Sequence, residues 1–253
     1  MSETVVITGA GSGIGLAMSQ ELAARGFRLI LLGRNLDRLH QTRRTLQDPP
    51  AHLAFACDIR RRESLDSVLK DSGVKALHGV VINAGTGGEN HPGGTDRWQE
   101  ILDTNLTGSY FTAQACLPYL QTPTGKKFRH MVFVASILAR LGVPGYTAYC
   151  ASKAGILGLM RSLASELAGA GILVNAVCPG WVDTDMAHEG LQAFADALGV
   201  EKEEAHRLAM EQVPLRKMAA PGEVARLIAF LFSEAQTSIT GQTLDINNGA
   251  LMP

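Results

Sequence analysis

Short apolar runs alternate with helical stretches along almost the whole of this 253-residue chain. The runs are nearly continuously apolar, as in strands whose two faces are both covered. This alternation predicts βαβ units around a parallel sheet with helices on both faces. Because the sequence contains no linker, internal repeat or low-complexity segment, we predict one doubly wound α/β domain over residues 1–253.

The predicted strands are Val5–Ile7, Arg28–Leu32, Leu53–Cys57, Leu77–Ile82, Met131–Ala135, Leu173–Val177 and Thr243–Ile246. The predicted helices cover residues 14–25, 35–46, 61–70, 98–120, 149–168 and 223–232. Residues 185–212 interrupt the alternation with apolar positions spaced among many charges. We expect two short amphipathic helices there, inserted after the sixth strand as a lid.

The charge balance excludes several classes of protein. The chain has 23 basic and 24 acidic residues, a net charge of −1, and 46% apolar residues. This composition excludes a highly charged disordered chain and gives no electrostatic reason to expect a nucleic-acid or membrane partner. No apolar run is long enough to span a bilayer, and the N-terminus lacks the basic segment of a signal peptide.

Cysteine and histidine positions give no metal motif. Cys57, Cys116, Cys150 and Cys178 lie far apart, so we expect buried thiols in a cytoplasmic protein. The histidines are scattered as well, and no His/Asp/Glu cluster has the spacing of metal ligands. We therefore predict no catalytic metal, and we expect His40, His130 and His188 to lie on the surface.

A glycine-rich turn follows the first predicted strand. It reads Thr8-Gly9-Ala10-Gly11-Ser12-Gly13-Ile14-Gly15 and leads into a helix. The spacing G-x-x-x-G-x-G fits, whereas G-x-G-x-x-G fits no register. An ordinary glycine-rich turn is one interpretation. The position in the first βα unit favours the other, a helix N-terminus that binds the pyrophosphate of a dinucleotide in a Rossmann-type fold.

Tyr149 and Lys153 lie four residues apart on a predicted helix, so their side chains share one face. An ammonium group beside a phenol lowers the pKa of the tyrosine, which can then act as a general acid or base. Ser136 ends the fifth predicted strand, at the edge where a parallel sheet places functional groups. The alternative interpretation is a surface pair on a helix.

Several motifs occur in order along the chain: the glycine turn, Asn83-Ala84-Gly85, Asn105, Ser136, Tyr149-x-x-x-Lys153, Pro179-Gly180 and Ile239-Thr240-Gly241-Gln242. This set resembles the short-chain dehydrogenase/reductase family in its compact single-domain branch. The resemblance covers essentially the whole chain. Among the members of the family, the motifs resemble most those of the 3-oxoacyl thioester reductases. One departure is Ile82, where the family often has a further asparagine.

The resemblance implies a role for each catalytic residue. Tyr149 exchanges a proton with the substrate oxygen, and Ser136 hydrogen-bonds that oxygen. Lys153 binds the nicotinamide ribose and lowers the pKa of Tyr149, and Asn105 holds a water that links Lys153 to solvent. For Asn105 the alternative is a hydrogen bond that holds a helix kink.

The resemblance also implies a nicotinamide cofactor. Its expected contacts are Gly9, Ser12, Gly13, Ile14, Gly15, Arg34, Asp58, Ile59, Asn83, Ala84, Gly85, Tyr149, Lys153, Pro179, Gly180, Val182 and Thr184. Asp58 and Thr184 could instead cap the helices that follow them.

The end of the second strand predicts which nicotinamide cofactor is used. An acidic residue there would bind the adenosine ribose and repel a 2′-phosphate, but this chain has Gly33 followed by Arg34. A guanidinium group can bind a phosphate, so we predict NADP(H), with NAD(H) as the alternative. Ser12 is not basic, which leaves Arg34 as the one obvious cation.

Apolar side chains near these motifs predict a substrate pocket formed by Leu138, Tyr146, Trp181 and Met186, although each could equally pack against the lid.

We expect an oxidoreductase that interconverts a ketone and a secondary alcohol, with a 3-oxoacyl thioester as one substrate class. Sugar alcohols, steroids and other secondary alcohols are alternatives, as is a redox-silent NADP-binding sensor or scaffold. Helices 105–120 and 149–168 are too apolar for burial on one side, and relatives pair them between subunits, so we expect a homotetramer.

Overall fold

The computed structural model describes residues 3–91, 93, 96–121 and 127–252. Its sheet has seven parallel strands in the order β3-β2-β1-β4-β5-β6-β7. The strands are Thr4–Thr8 (β1), Arg28–Gly33 (β2), Leu53–Ala56 (β3), Gly79–Ile82 (β4), Arg129–Val134 (β5), Ile172–Pro179 (β6) and Thr243–Ile246 (β7). The predicted single-domain α/β architecture is confirmed.

Nine α-helices are present in the described part of the chain. They are Gly13–Ala24 (α1), Leu36–Arg44 (α2), Arg62–Asp71 (α3), Trp98–Leu102 (α4), Gly108–Leu120 (α5), Thr147–Leu167 (α6), Asp185–Leu198 (α7), Lys202–Glu211 (α8) and Pro221–Leu231 (α9). The predicted helix over 98–120 is one continuous element, but a π-helical turn at Asp103–Thr107 distorts it between α4 and α5. α7 and α8 form where the two amphipathic helices are predicted, and their action as a lid stays a prediction.

The strands β1, β2, β4, β5 and β6 bury side chains on both faces of the sheet, whereas the edge strands β3 and β7 are at most partly buried. On one face, Val6 and Ile30 pack among side chains of α3, α5 and α6. On the other, Val5 and Leu29 pack among side chains of α1, α2 and α9. This two-sided burial explains the nearly continuous apolar runs in the sequence.

Buried polar residues lie at the starts of the central strands. His130 is only 3% exposed because β5 begins at Arg129, earlier than predicted, and places this histidine inside the sheet. The expectation of a surface position is therefore wrong for His130, whereas His188 is exposed and His40 is half-buried. Within the described residues, no helix is long and apolar enough to cross a membrane.

The strand order reverses between β1 and β4, and this is where the two halves of the fold meet. The hydroxyl of Thr8 accepts hydrogen bonds from the backbone N–H groups of Asn83 and Ala84, at 3.0 and 3.1 Å. The carboxyl ends of β1 and β4 are thereby held together. In doubly wound sheets, ligands bind in the crevice outside such a switch point.

Candidate active site

The glycine turn after β1 forms one wall of a cleft at this switch point. Gly9 and Gly13 have φ angles of +66° and +51°, which side chains disfavour. A Cβ on Gly15 would lie 2.0 Å from the carbonyl oxygen of Gly9, so only glycine allows α1 to start so close to the strand. Ser12 precedes α1 without making a side-chain cap. The turn therefore presents a bare helix N-terminus suited to an anion.

The cleft has a volume of about 650 Å³ and runs along the carboxyl ends of β1 to β4. Most of the predicted cofactor residues line it: Gly9, Ser12, Gly13, Ile14, Arg34, Asp58, Ile59, Asn83, Ala84, Gly85 and Thr184. Gly15, Tyr149, Lys153, Pro179, Gly180 and Val182 are not among its lining residues. Gly180 instead donates a backbone hydrogen bond to Ile246, and Val182 is buried in a bridge to Ala219.

Two arginines that the sequence analysis missed also line this cleft. Arg60 forms a 2.6 Å ion pair with Asp58 and lowers the pKa of that carboxyl group. Arg38 lies in the first turn of α2, and its Cβ would be 3.2 Å from a Cβ on Gly11, which brings α2 close to the glycine turn. Arg34 is therefore not the only cation at this end of the cleft. The four-residue spacing between Arg34 and Arg38 in the sequence could have indicated this second cation.

Asp58 and Thr184 differ in whether they cap the helices that follow them. Arg61, not Asp58, is the N-cap of α3, so the capping alternative for Asp58 is wrong. The Thr184 hydroxyl accepts a 3.4 Å hydrogen bond from Ala187 at the start of α7. Thr184 both caps α7 and lines the cleft, so the cleft meets α7 at this residue.

Ser136, Tyr149 and Lys153 converge beside the cleft. Ser136 follows β5, and its hydroxyl accepts a hydrogen bond from Leu138 and interacts with the phenol of Tyr149. Lys153 is 5% exposed, and its Nζ lies 5.6 Å from the centre of the Tyr149 ring. This Nζ donates a 3.0 Å hydrogen bond to the carbonyl oxygen of Val134. The surface-pair alternative is excluded for Lys153 by its burial.

Burial sets the protonation states of this pair. Desolvation raises the pKa of Tyr149 to about 12, although the contact with Ser136 opposes the shift. Desolvation lowers the pKa of Lys153 to about 8. Loss of solvent outweighs the lowering effects on Tyr149 in this structure, and the expectation that Lys153 depresses its pKa stays a prediction. At neutral pH the phenol is protonated and the ammonium is charged.

Asn105 is fully buried in the π-helical turn between α4 and α5. Its Oδ1 accepts a 2.8 Å hydrogen bond from the N–H of Thr86, and its Nδ2 donates to the Thr86 carbonyl and the Ser152 hydroxyl. A Cβ on Gly85 would lie 3.2 Å from Oδ1 of Asn105 and 3.5 Å from Nζ of Lys153. The side chain thus holds the loop after β4 next to Lys153, and its role in holding a water stays a prediction.

The four predicted substrate residues occupy different positions. Met186 is 44% exposed, lines the cleft, and lies with its Sδ 3.2 Å from a Cβ on Gly87. That same point is 3.9 Å from Cε2 of Tyr149, so Met186 borders the catalytic residues. Trp181 packs against Gly190 and the apolar cluster under α7 and α8, as its alternative predicts. Leu138 and Tyr146 are half-buried beside Ser136 and at the start of α6.

No group of three potential metal ligands occurs within the part of the chain that the structure describes. Arg140, beyond Ser136, forms a 3.3 Å ion pair with Asp245 of β7. The chemistry available at this site is therefore proton transfer by Tyr149, with Ser136 and Lys153 as its polar neighbours, beside a cleft suited to a dinucleotide.

Known proteins are similar to this chain in sequence and in fold. The family model described as Enoyl-(Acyl carrier protein) reductase matches residues 9–250. The 3-oxoacyl-(acyl-carrier-protein) reductase FabG of Rickettsia typhi is 32% identical over 252 residues, 99% of this chain and 97% of that protein.

Two solved structures bound to NADPH are similar. The actinorhodin polyketide ketoreductase has a TM-score of 0.91 at 32% identity, covering 98% of this chain and 97% of its own. The L-sorbose reductase of Gluconobacter frateurii, solved with NADPH and L-sorbose, has a TM-score of 0.89 at 27% identity, covering 100% and 97%. The chain belongs to the short-chain dehydrogenase/reductase family, as its motif set predicts.

Proposed function

We propose that this protein is an NADPH-dependent ketoreductase whose substrate is a 3-oxoacyl thioester. The observation that carries the proposal is the phenol of Tyr149 beside Ser136 and the buried Lys153, next to a cleft suited to a dinucleotide. The relatives named for 3-oxoacyl and polyketide reduction support the substrate class. The four free cysteines support a cytoplasmic location.

The residues of the cleft fit a dinucleotide. The bare N-terminus of α1 suits the pyrophosphate, and the absence of side chains at Gly9, Gly13 and Gly15 lets it approach the backbone. Asp58 and Ile59 would contact the adenine, and Lys153 the nicotinamide ribose. When bound, NADPH supplies the hydride for the carbonyl carbon.

Tyr149 supplies the proton in this reaction. Its phenol would donate to the carbonyl oxygen, while the Ser136 hydroxyl stabilises the negative charge that develops there. The charged Lys153 would then stabilise the phenolate that remains. Tyr149 would be the proton donor in reduction and, as the phenolate, the proton acceptor in oxidation; desolvation raises its pKa to about 12, which favours the donor form.

A turnover assay with both cofactors tests the substrate class. We expect NADPH oxidation with a short 3-oxoacyl thioester to exceed that with L-sorbose in kcat/KM. The similarity to L-sorbose reductase makes a sugar ketone the second candidate, and faster turnover of L-sorbose would favour it. An absence of turnover with any ketone or alcohol, despite NADPH binding, would favour a redox-silent sensor or scaffold.

We expect NADPH to be preferred over NADH because Arg34 and Arg38 line the cleft, and their guanidinium groups make no hydrogen bond or ion pair with any described residue. A charge-assisted hydrogen bond contributes roughly 1.5–3 kcal/mol, or about one to two orders of magnitude in affinity. Arg34→Ala should lose most of the preference, and Arg34→Ala/Arg38→Ala the remainder. The measurements are kcat/KM with each cofactor and calorimetric binding of 2′,5′-ADP against 5′-AMP.

NADH use serves as the internal control for these variants. It should stay nearly unchanged, because neither guanidinium group has a 2′-phosphate to bind in NADH. Gly33→Asp, added to Arg34→Ala, should turn the preference towards NADH, since a carboxylate repels the phosphate and binds the ribose hydroxyls. A parent that prefers NADH, or an Arg34→Ala variant that loses both cofactors equally, would contradict the assignment.

We expect a homotetramer formed through α5 and α6. Tyr110 of α5 is 45% exposed, and Leu106 in the π-helical turn, Phe111 on α5 and Leu159 on α6 remain partly accessible. Apolar helix faces of this kind are covered in symmetric oligomers. Light scattering should give the mass of four 27.0 kDa chains, or of two in a dimer. A monomer at micromolar concentration would refute the prediction.

A further inference from the structure

The catalytic helix α6 is capped by a residue from a distant part of the chain. Tyr146 precedes the helix, and its side chain makes no capping hydrogen bond. Instead, Oδ1 of Asn90 accepts hydrogen bonds from the N–H of Ala148, at 2.8 Å, and from the hydroxyl of Thr147, at 3.0 Å. A side-chain oxygen that satisfies an N–H in the first turn is what a local N-cap residue provides. Here it comes from the loop between β4 and α4.

Asn90 is fixed in place by further hydrogen bonds. Its N–H donates to the carbonyl oxygen of Gly145, at 2.8 Å, and its Nδ2 donates to Oδ1 of Asp96, at 3.2 Å. The same Asp96 oxygen accepts from the N–H of Trp98 at the start of α4. Asn90 is only 5% exposed. The residue therefore ties the beginning of α4 to the beginning of α6 and cannot reorient without breaking several bonds.

Tyr149 lies in the turn that Asn90 caps, directly after Ala148. Helical side chains lean towards the N-terminus of their helix, so the position of the phenol depends on the geometry of this first turn. Helix ends without a cap fray, and small displacements of a reacting group cost much of the rate.

We propose that Asn90 is a positioning residue, which fixes the first turn of α6 and so aims the phenol of Tyr149 at the substrate carbonyl. This inference rests on the proposed ketone reduction. Asn90 does not touch the reacting atoms; it acts through Ala148 and the helix backbone.

The uncharged amide at this position has a second consequence. An aspartate oxygen could accept the same bonds from Ala148 and Thr147, but it would replace the Nδ2 donor to Asp96 with a second carboxylate and add a negative charge near the turn that carries Tyr149. Such a charge disfavours the phenolate and should raise the pKa of Tyr149. The titratable groups that act on Tyr149 and Lys153 are Cys150 and Tyr146 on α6 and Cys178 on β6, with Glu89 acting on Tyr146. An asparagine supplies the cap without the charge.

Two substitutions of Asn90 test the proposal in the full-length protein. Asn90→Ala should lower kcat for ketone reduction by about tenfold to a hundredfold, with the dissociation constant of NADPH changed less than about twofold. Hydrogen exchange should accelerate at the amides of Ala148 to Cys150. Asn90→Asp should restore kcat to within a few-fold of the parent and shift the alkaline limb of the oxidation profile to higher pH.

Gln236→Ala is the matched control. Gln236 is also a buried amide, and its Oε1 accepts from the N–H groups of Ser238 and Ile239 in the loop before β7, at the opposite end of the sheet. This variant should lower the melting temperature and leave kcat and the pH profile unchanged. If Asn90→Ala does not fold, Asn90→Asp and Thr147→Val carry the test. Thr147→Val removes one of the two hydrogen bonds that Oδ1 of Asn90 accepts from the first turn of α6, so kcat should fall, but less than in Asn90→Ala.

The outcomes separate this proposal from the proposed function. An Asn90→Ala variant that loses stability but keeps the parent kcat would overturn the positioning role and leave the ketoreductase assignment intact. An unshifted pH profile in Asn90→Asp, with unchanged kcat in Thr147→Val, would do the same. A parent that turns over no ketone or alcohol would overturn the function and the positioning role together.

Discussion

Tyr149→Phe is expected to lower kcat for ketone reduction by about two to four orders of magnitude while NADPH still binds. The substitution keeps the ring, so the packing around α6 survives, but it removes the proton that Tyr149 is expected to donate to the carbonyl oxygen. Ser136 cannot replace it, because the hydroxyl of Ser136 would lose its proton far less readily than a phenol. Stopped-flow single turnover with NADPH separates the chemical step from binding, and NADPH fluorescence measures affinity.

The control for Tyr149→Phe is Tyr119→Phe, which removes a half-buried phenolic hydroxyl from α5 without touching the catalytic residues. It should leave kcat unchanged. Activity of Tyr149→Phe within a few-fold of the parent, on a verified substrate, would show that another group supplies the proton.

Local patterns in the sequence were sufficient for the fold. The apolar runs and the glycine turn determine where strands and helices form, because each strand must be covered on both faces and α1 must start close to β1. The distortion at Asp103–Thr107 was expected only as an alternative role for Asn105, because it depends on a distant partner: Asn105 turns inward to bond the backbone of Thr86. Nothing in the neighbouring sequence specifies that partner.

The catalytic residues could be identified from spacing, but their environment could not. A four-residue separation places Tyr149 and Lys153 on one helix face, yet only the packed structure reveals the burial that raises one pKa and lowers the other. Arg38 and Asn90 were missed for a related reason. Each acts across a tertiary contact, to the glycine turn and to α6 respectively, and neither forms a local motif.

Lys153→Met is expected to lose activity and to make the cofactor-free protein more stable. Turnover should fall by about two orders of magnitude or more, because the charge that stabilises the phenolate is gone. NADPH affinity should fall as well, since Lys153 is expected to bind the nicotinamide ribose. Methionine fills a similar volume without a charge, so the variant removes the cost of burying an ammonium group.

The pKa of Lys153 gives the size and the pH dependence of this stabilisation. The folded pKa, about 8, lies below the value of 10.5 for an exposed lysine, so the unfolded state binds more protons between these two values. The penalty in the parent is therefore full below pH 8 and is relieved as the pH rises through 8 towards 10.5. This penalty amounts to roughly 3 kcal/mol below pH 8. The stabilisation in Lys153→Met should be about 1 kcal/mol smaller than the penalty, because the variant loses the hydrogen bond from Lys153 to Val134.

Thermal unfolding without cofactor should therefore show a higher melting temperature for Lys153→Met at pH 7, by several degrees for a chain of this size. The difference should shrink at pH 10, where the parent's Lys153 is already neutral in the folded state. Lys70→Met, which removes an exposed lysine from α3, should show neither effect. A lower melting temperature for Lys153→Met at pH 7 would contradict this expectation. It would mean that the surroundings of the ammonium group stabilise it, and that a residue required for activity does not destabilise the fold.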